Sequence, residues 1–114
     1  MLAETGVDRV RAEYGLTGAG TLVAILDRGL DVEHPDFRNA DGTTRVLALL
    51  DLTDDSGATA PDNPVGVGTV YTRAEIDAAL AAGARLGSRD AVGHGTATAG
   101  VAAGNGRASD GRYT

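Results

Sequence analysis

The chain contains no cysteine, no lysine and no tryptophan. Without cysteine there is no disulfide, no thiolate nucleophile and no zinc–thiolate centre. Without lysine, all ten cations are arginine, set against 16 acidic residues for a net charge of −6. An acidic chain with scattered arginine matches a phosphate backbone poorly, so nucleic acid is not expected as a partner. Large apolar side chains are also scarce. Leu 11, Val 10, Ile 2 and Phe 1 make 24 of 114 residues, just above the range of under about 20% that goes with disorder. The core should therefore be thin. No run approaches the roughly 18 apolar residues of a membrane span, so no membrane partner is expected. The opening Met1-Leu-Ala-Glu-Thr5 has no basic stretch followed by an apolar one. It does not read as a signal peptide; the compartment stays open, with a secreted parent among the readings.

What the chain has instead is alanine (20) and glycine (17), about a third of its residues. Alanine buries little apolar area and glycine almost none. The length suits one small domain or part of a larger one.

Residues 5–15 predict a short amphipathic helix, with Thr5 as its cap and Val7, Val10 and Tyr14 on one face. Leu22-Val-Ala-Ile-Leu26 is an unbroken apolar run ending at Asp27. Such a run suits a strand covered on both faces, as in a parallel sheet between helices. A second strand is expected over Thr44–Leu50, and an extended piece over Val67–Tyr71. Between them, residues 51–70 are rich in Asp, Gly and Pro and read as loop. Thr72-Arg-Ala-Glu75 is a capping box, predicting a helix that ends near Gly83 and buries Ile76, Ala79 and Leu80. His94-Gly-Thr-Ala-Thr-Ala-Gly-Val-Ala-Ala-Gly104 predicts a tightly packed internal helix of small residues, buried against a sheet, with His94 at its N-terminus. Residues 105–114 read as loop.

Two positions carry chemistry. Asp27 stands where an apolar strand should end, and ligands of open parallel sheets gather outside the carboxyl ends of the strands. His94 stands at a helix start between two glycines. Taken singly, Asp27 reads as a turn residue and His94 as a polar helix start. Taken together they supply two members of a nucleophilic triad. The carboxylate orients the imidazole through one ring nitrogen, and the other takes a proton from a nucleophile. The order, Asp before His with Ser still to come, is the subtilisin order.

The flanking residues strengthen this. Gly18-Ala-Gly-Thr-Leu-Val-Ala-Ile-Leu-Asp27-Arg-Gly-Leu-Asp31 with His34-Pro-Asp-Phe37, and then Gly93-His94-Gly-Thr-Ala-Thr-Ala-Gly-Val-Ala-Ala-Gly104, resemble the two N-terminal motifs of the subtilisin-like serine peptidases, the subtilase family. The resemblance runs from about Val7 to Thr114. It implies an α/β fold with a partial parallel sheet and flanking helices. It also implies a serine endopeptidase acting on peptides or proteins, with Asp27 as triad aspartate and His94 as triad histidine. The interval of 67 residues between them is long for the family, and the extra length looks like a bacterial branch with an insertion.

The chain also departs from the family pattern. Arg28 stands where a hydroxyl residue is usual, either to pair with Asp27 or to face solvent. Ala97 stands where many members have a second histidine. No Gly-Thr-Ser-x-Ala motif occurs, and Ser56, Ser88 and Ser109 all read as loop residues. The resemblance therefore implies that residues 1–114 are the N-terminal portion of a peptidase domain. The nucleophile would lie beyond Thr114, and the chain alone would be inactive. Unpaired sheet edges would then favour self-association or marginal folding. The resemblance implies no cofactor except calcium. Asp36 matches a calcium-binding position of some subtilases, but no calcium loop is recognisable in Asn105–Thr114, so Asp36 reads first as a turn residue and only then as a ligand.

Two further readings stay open. One is a non-catalytic pseudo-peptidase or binding module that keeps the fold, which Arg28 favours. The other is a metal site built from Asp27, His34, Asp36 and His94.

Overall fold

Local capping chemistry is best defined at residue 72. There the Thr72 hydroxyl accepts from the Glu75 amide while the Glu75 carboxylate accepts from the Thr72 amide at 2.8 Å. The helix this starts, Arg73–Ala82, ends where Gly83 turns left-handed. In the computed structural model, which describes residues 2–57, 60 and 63–112, this is α3 of four helices. The others are α1 (Leu2–Thr5), α2 (Val7–Tyr14) and α4 (His94–Ala103). Single 3₁₀ turns occupy Pro35–Phe37 and Arg107–Ser109.

The expected single helix over 5–15 is split at Gly6. Gly6, not Thr5, is the residue before α2, and it has no side chain with which to cap that helix. Its expected apolar stripe is not buried, because Val10 and Tyr14 remain exposed.

Strands β1 (Ala48–Asp51) and β2 (Thr69–Thr72) pair antiparallel, with Ala48 opposite Thr72 and Asp51 opposite Thr69. The architecture is thus mixed α/β. Among the described residues this is the sheet that forms, and it is antiparallel, whereas a parallel one was expected. The segment Leu22–Leu26 is not in a ladder. Leu22 and Leu26 are 75% and 94% exposed. A strand exists only through the hydrogen bonds of a neighbour. Here the segment faces an open cavity of about 960 Å³, with residues 45–53 on its other side.

The buried apolar residues are few: Val32, Phe37, Ile76 and Ala99. Polar anchors supplement them. The buried Thr44 donates its amide to the Asp77 carboxylate of α3 at 2.6 Å. Asn63, also buried, organises its loop by donating to the carbonyls of Gly57, Val67 and Gly68 and accepting from the amides of Val65 and Gly66. The radius of gyration is 15.6 Å, against roughly 13 Å for a compact domain of this length. None of the helices among the described residues is long and apolar enough to cross a membrane.

Ile76 is fully buried, and in so thin a core few neighbours can close over a void. Ile76→Ala is expected to cost about 2–5 kcal/mol, read from the midpoint of urea unfolding.

Candidate active site

The site is made by a close approach of two backbones. Helix α4 begins at His94, and its second residue, Gly95, is buried against the loop that follows Asp27. A Cβ on Gly95 would overlap the carbonyl oxygen of Gly29 and come within 3.2 Å of the Asp27 Cβ. Gly29 in turn has φ +143°, and a Cβ there would lie 2.7 Å from the Arg89 carbonyl oxygen. Both positions require glycine, one for space and the other for space and conformation.

This approach brings the two predicted residues together. The Nδ1 of His94 lies 2.8 Å from Oδ1 and 2.9 Å from Oδ2 of Asp27. The Asp27 side chain is 10% exposed and that of His94 67%. The carboxylate is thus enclosed, while the far edge of the ring is open to a reactant. Asp27 Oδ1 also accepts from the Arg28 amide at 2.8 Å. The His94 hydrogen bond, and after it the Arg28 amide, hold the Asp27 carboxyl below its usual range. An ionised Asp27 makes Nδ1–H the favoured tautomer, which leaves the Nε2 lone pair facing outward.

Arg28 reaches Asp27 only through its backbone. The residue is exposed, and the side chain that meets the Asp27 carboxylate is that of His94. Of the two fates expected for this arginine, the structure shows the solvent-facing one. Ser88 is buried near Asp51 and Ser56 bonds within its own loop. Among the described residues, no hydrogen bond joins a serine to His94.

The other candidates lie elsewhere. The Nδ1 of His34 accepts from the Asp36 amide, and its ring stands 5.7 Å from that of Phe37. Asp36 accepts from the Ala108 amide at 2.7 Å, and its carbonyl accepts from Asn105 and from Arg45. It clamps residues 103–108 to the turn at 35–37. Calcium takes six to eight oxygens. Among the described residues, no three His, Cys, Asp or Glu side chains converge as a metal group would need. The four residues considered as a metal site are not assembled into one.

Sequence reasoning missed Asp90 and Thr96. Asp90 Oδ1 accepts from the amides of Val92 and Gly93, and Oδ2 from the amide and hydroxyl of Thr96. The Thr96 bonds, with the loop amides, lower its pKa to about 2. The available signal was spacing. Asp90 precedes the left-handed Gly93 by three residues, so it can cap a helix whose preceding residue has no side chain.

Asp41, Asp51, Asp54 and Glu75 are lowered as well, each chiefly by hydrogen bonds from nearby groups. A carboxylate held down in the fold stabilises it above the ordinary value of 3.8 and stops doing so as pH falls through the folded value. The melting temperature should fall as pH drops from about 4 toward 2. The fall should be shallower in Asp90→Asn, which has no such carboxylate to protonate; circular dichroism melts across the range check this. Gly95→Ala should cost about 1–3 kcal/mol or more through overpacking and separate His94 from Asp27, read by denaturant unfolding together with the His94 ring resonances.

The model of the Subtilase family matches residues 18–113. A calcium-dependent protease of Nostoc sp. is 34% identical over 98 residues, covering 85% of this chain and 10% of the relative. A calcium-dependent protease of Trichormus variabilis is 33% identical over the same shares. The chain thus spans about a tenth of the length of the curated relatives it matches.

Proposed function

The chain belongs to the subtilase family, and from that premise we propose that it supplies the Asp and His of a serine endopeptidase triad, as the N-terminal portion of that peptidase domain. The observation that carries this reading is the 2.8 Å contact between His94 Nδ1 and Asp27, with the opposite ring edge exposed. The substrate class is peptide or protein, as the protease names of the relatives suggest.

In this reading Asp27 accepts the hydrogen bond from Nδ1–H and stays ionised throughout. Nε2 takes the proton of a serine hydroxyl from outside these 114 residues as that oxygen attacks the scissile carbonyl. The imidazolium so formed is stabilised by Asp27, and it returns its proton to the leaving amine. The parallel sheet of the family would be completed by strands beyond this chain, beside the exposed Leu22–Leu26 segment. The same exposed segment supports self-association of the isolated chain.

The name of the relatives supports a role for calcium in the parent protein. Asp36 is the residue of this chain that the family pattern points to. Because its carboxylate is already engaged by the Ala108 amide, no step of the mechanism is assigned to calcium. The non-catalytic reading drew on Arg28 and loses that support, because the guanidinium leaves Asp27 to His94.

The 114-residue chain should not hydrolyse peptides, whereas the full-length parent should be labelled by a fluorophosphonate. His94→Ala in the parent should abolish labelling and lower kcat by about 10⁴- to 10⁶-fold. A correctly folded parent that resists labelling would overturn the proposal.

A further inference from the structure

The residue before α4 is Gly93, which has no side chain to cap the helix, so the cap comes from further back. The half-buried carboxylate of Asp90 receives four donors, two from the loop before His94 and two from Thr96 in the first turn after it. Its hold extends to the other half of the pair. The Thr96 hydroxyl gives its proton to Asp90 Oδ2 at 2.7 Å, and the same oxygen accepts the amide of Asp31 at 2.9 Å. Asp31 lies four residues after Asp27, on the loop whose Gly29 rests on the backbone of Arg89 and Asp90. The hydrogen bonds therefore run in one direction, from the Asp31 amide to the Thr96 hydroxyl to the Asp90 carboxylate. A hydroxyl has one proton, so its commitment to Asp90 frees the lone pair that Asp31 uses.

We propose that Asp90, acting through Thr96, is the positioning residue of the Asp27–His94 pair. It locks the start of the histidine helix to the loop that follows the aspartate. It touches neither reacting nitrogen nor substrate. Its effect is to fix where Nδ1 meets the Asp27 carboxylate, and so which tautomer His94 adopts. Its ionised state over the neutral range keeps the Thr96 proton pointed at it. The inference rests on the pair proposed above, and its test reads the pair itself instead of peptide hydrolysis.

The experiment is nitrogen-15 NMR of the His94 ring in the 114-residue chain at about pH 9, where an ordinary imidazole is neutral. The measured quantity is the ratio of the Nδ1–H to the Nε2–H tautomer. Wild type should favour Nδ1–H, and Asp27→Ala should lose that preference. Asp90→Asn and Thr96→Val should each lower the ratio by about fivefold or more, as expected for a weakened charge-assisted hydrogen bond. Thr96→Ser, which keeps the hydroxyl, should restore it. Asp77→Ala, which removes the acceptor of the Thr44 amide elsewhere in the fold, should lower stability and leave the ratio unchanged. If Asp90→Asn fails to fold, the Thr96→Val and Thr96→Ser comparison decides. Lowered melting temperatures with a wild-type ratio in Thr96→Val would make Asp90 a helix cap only and overturn the proposal. A wild-type ratio equal to that of Asp27→Ala would overturn the pair, and the positioning role with it.

Discussion

The Asp27–His94 contact, on which the proposed function rests, depends on one helix start reaching one loop at backbone contact distance. Gly95 lies so close to the Gly29 carbonyl that no side chain fits between them. That closeness puts an imidazole within 2.8 Å of a carboxylate 67 residues away in sequence. The entropic cost of closing so long a loop rises only logarithmically with its length. The limiting requirement is therefore local, two glycines in register and a helix aimed at its N-terminal end. The exposure of the two partners then sets their roles. The enclosed carboxylate keeps its charge under two hydrogen bonds, while the ring presents its second nitrogen to solvent.

The scaffold around this contact is held more by polar anchors than by apolar packing. Only Val32, Phe37, Ile76 and Ala99 form the buried apolar set among the described residues. Long loops are instead organised by side chains that satisfy backbone groups: Asp36 for residues 103–108, Asn63 for the loop before β2, Asp77 for Thr44 and Asp90 for the entry to α4. Such anchoring suits a chain rich in Gly, Asp and Thr and poor in large aliphatics. It fixes local geometry without burying much area, so the molecule is well specified around its site yet still exposes Leu22 and Leu26.

The departures from expectation share a cause. The capping box at Thr72 and Glu75 was legible because both partners lie within one helical turn, and the structure contains it. Helix α4 was legible from its run of small residues, and it spans His94–Ala103, but it is not the internal helix expected, since Gly95 and Ala99 are its buried residues and Val101 is 93% exposed. The run at 22–26 has the composition of a buried strand, but composition cannot supply the neighbour that would make it one. Thr5 resembled a cap, yet Gly6 turns left-handed and starts α2 instead. The hydrogen bonds of Asp90 to Val92 and Gly93 are local, but the link from Thr96 to Asp31 spans 65 residues. No pattern along the chain announces it.

By itself the sequence marked Asp27 and His94 as the candidate pair, the order in which they come and where α3 and α4 lie. These follow from residue type and short-range spacing, which the chain states directly. Only the tertiary structure decided that Arg28 turns away, that Asp36 clamps a loop, that β1 and β2 run antiparallel and that Asp90 reaches both halves of the site. Those outcomes depend on which distant groups meet once the loops close, and a hydrogen bond between distant segments has no signature until both ends are in place.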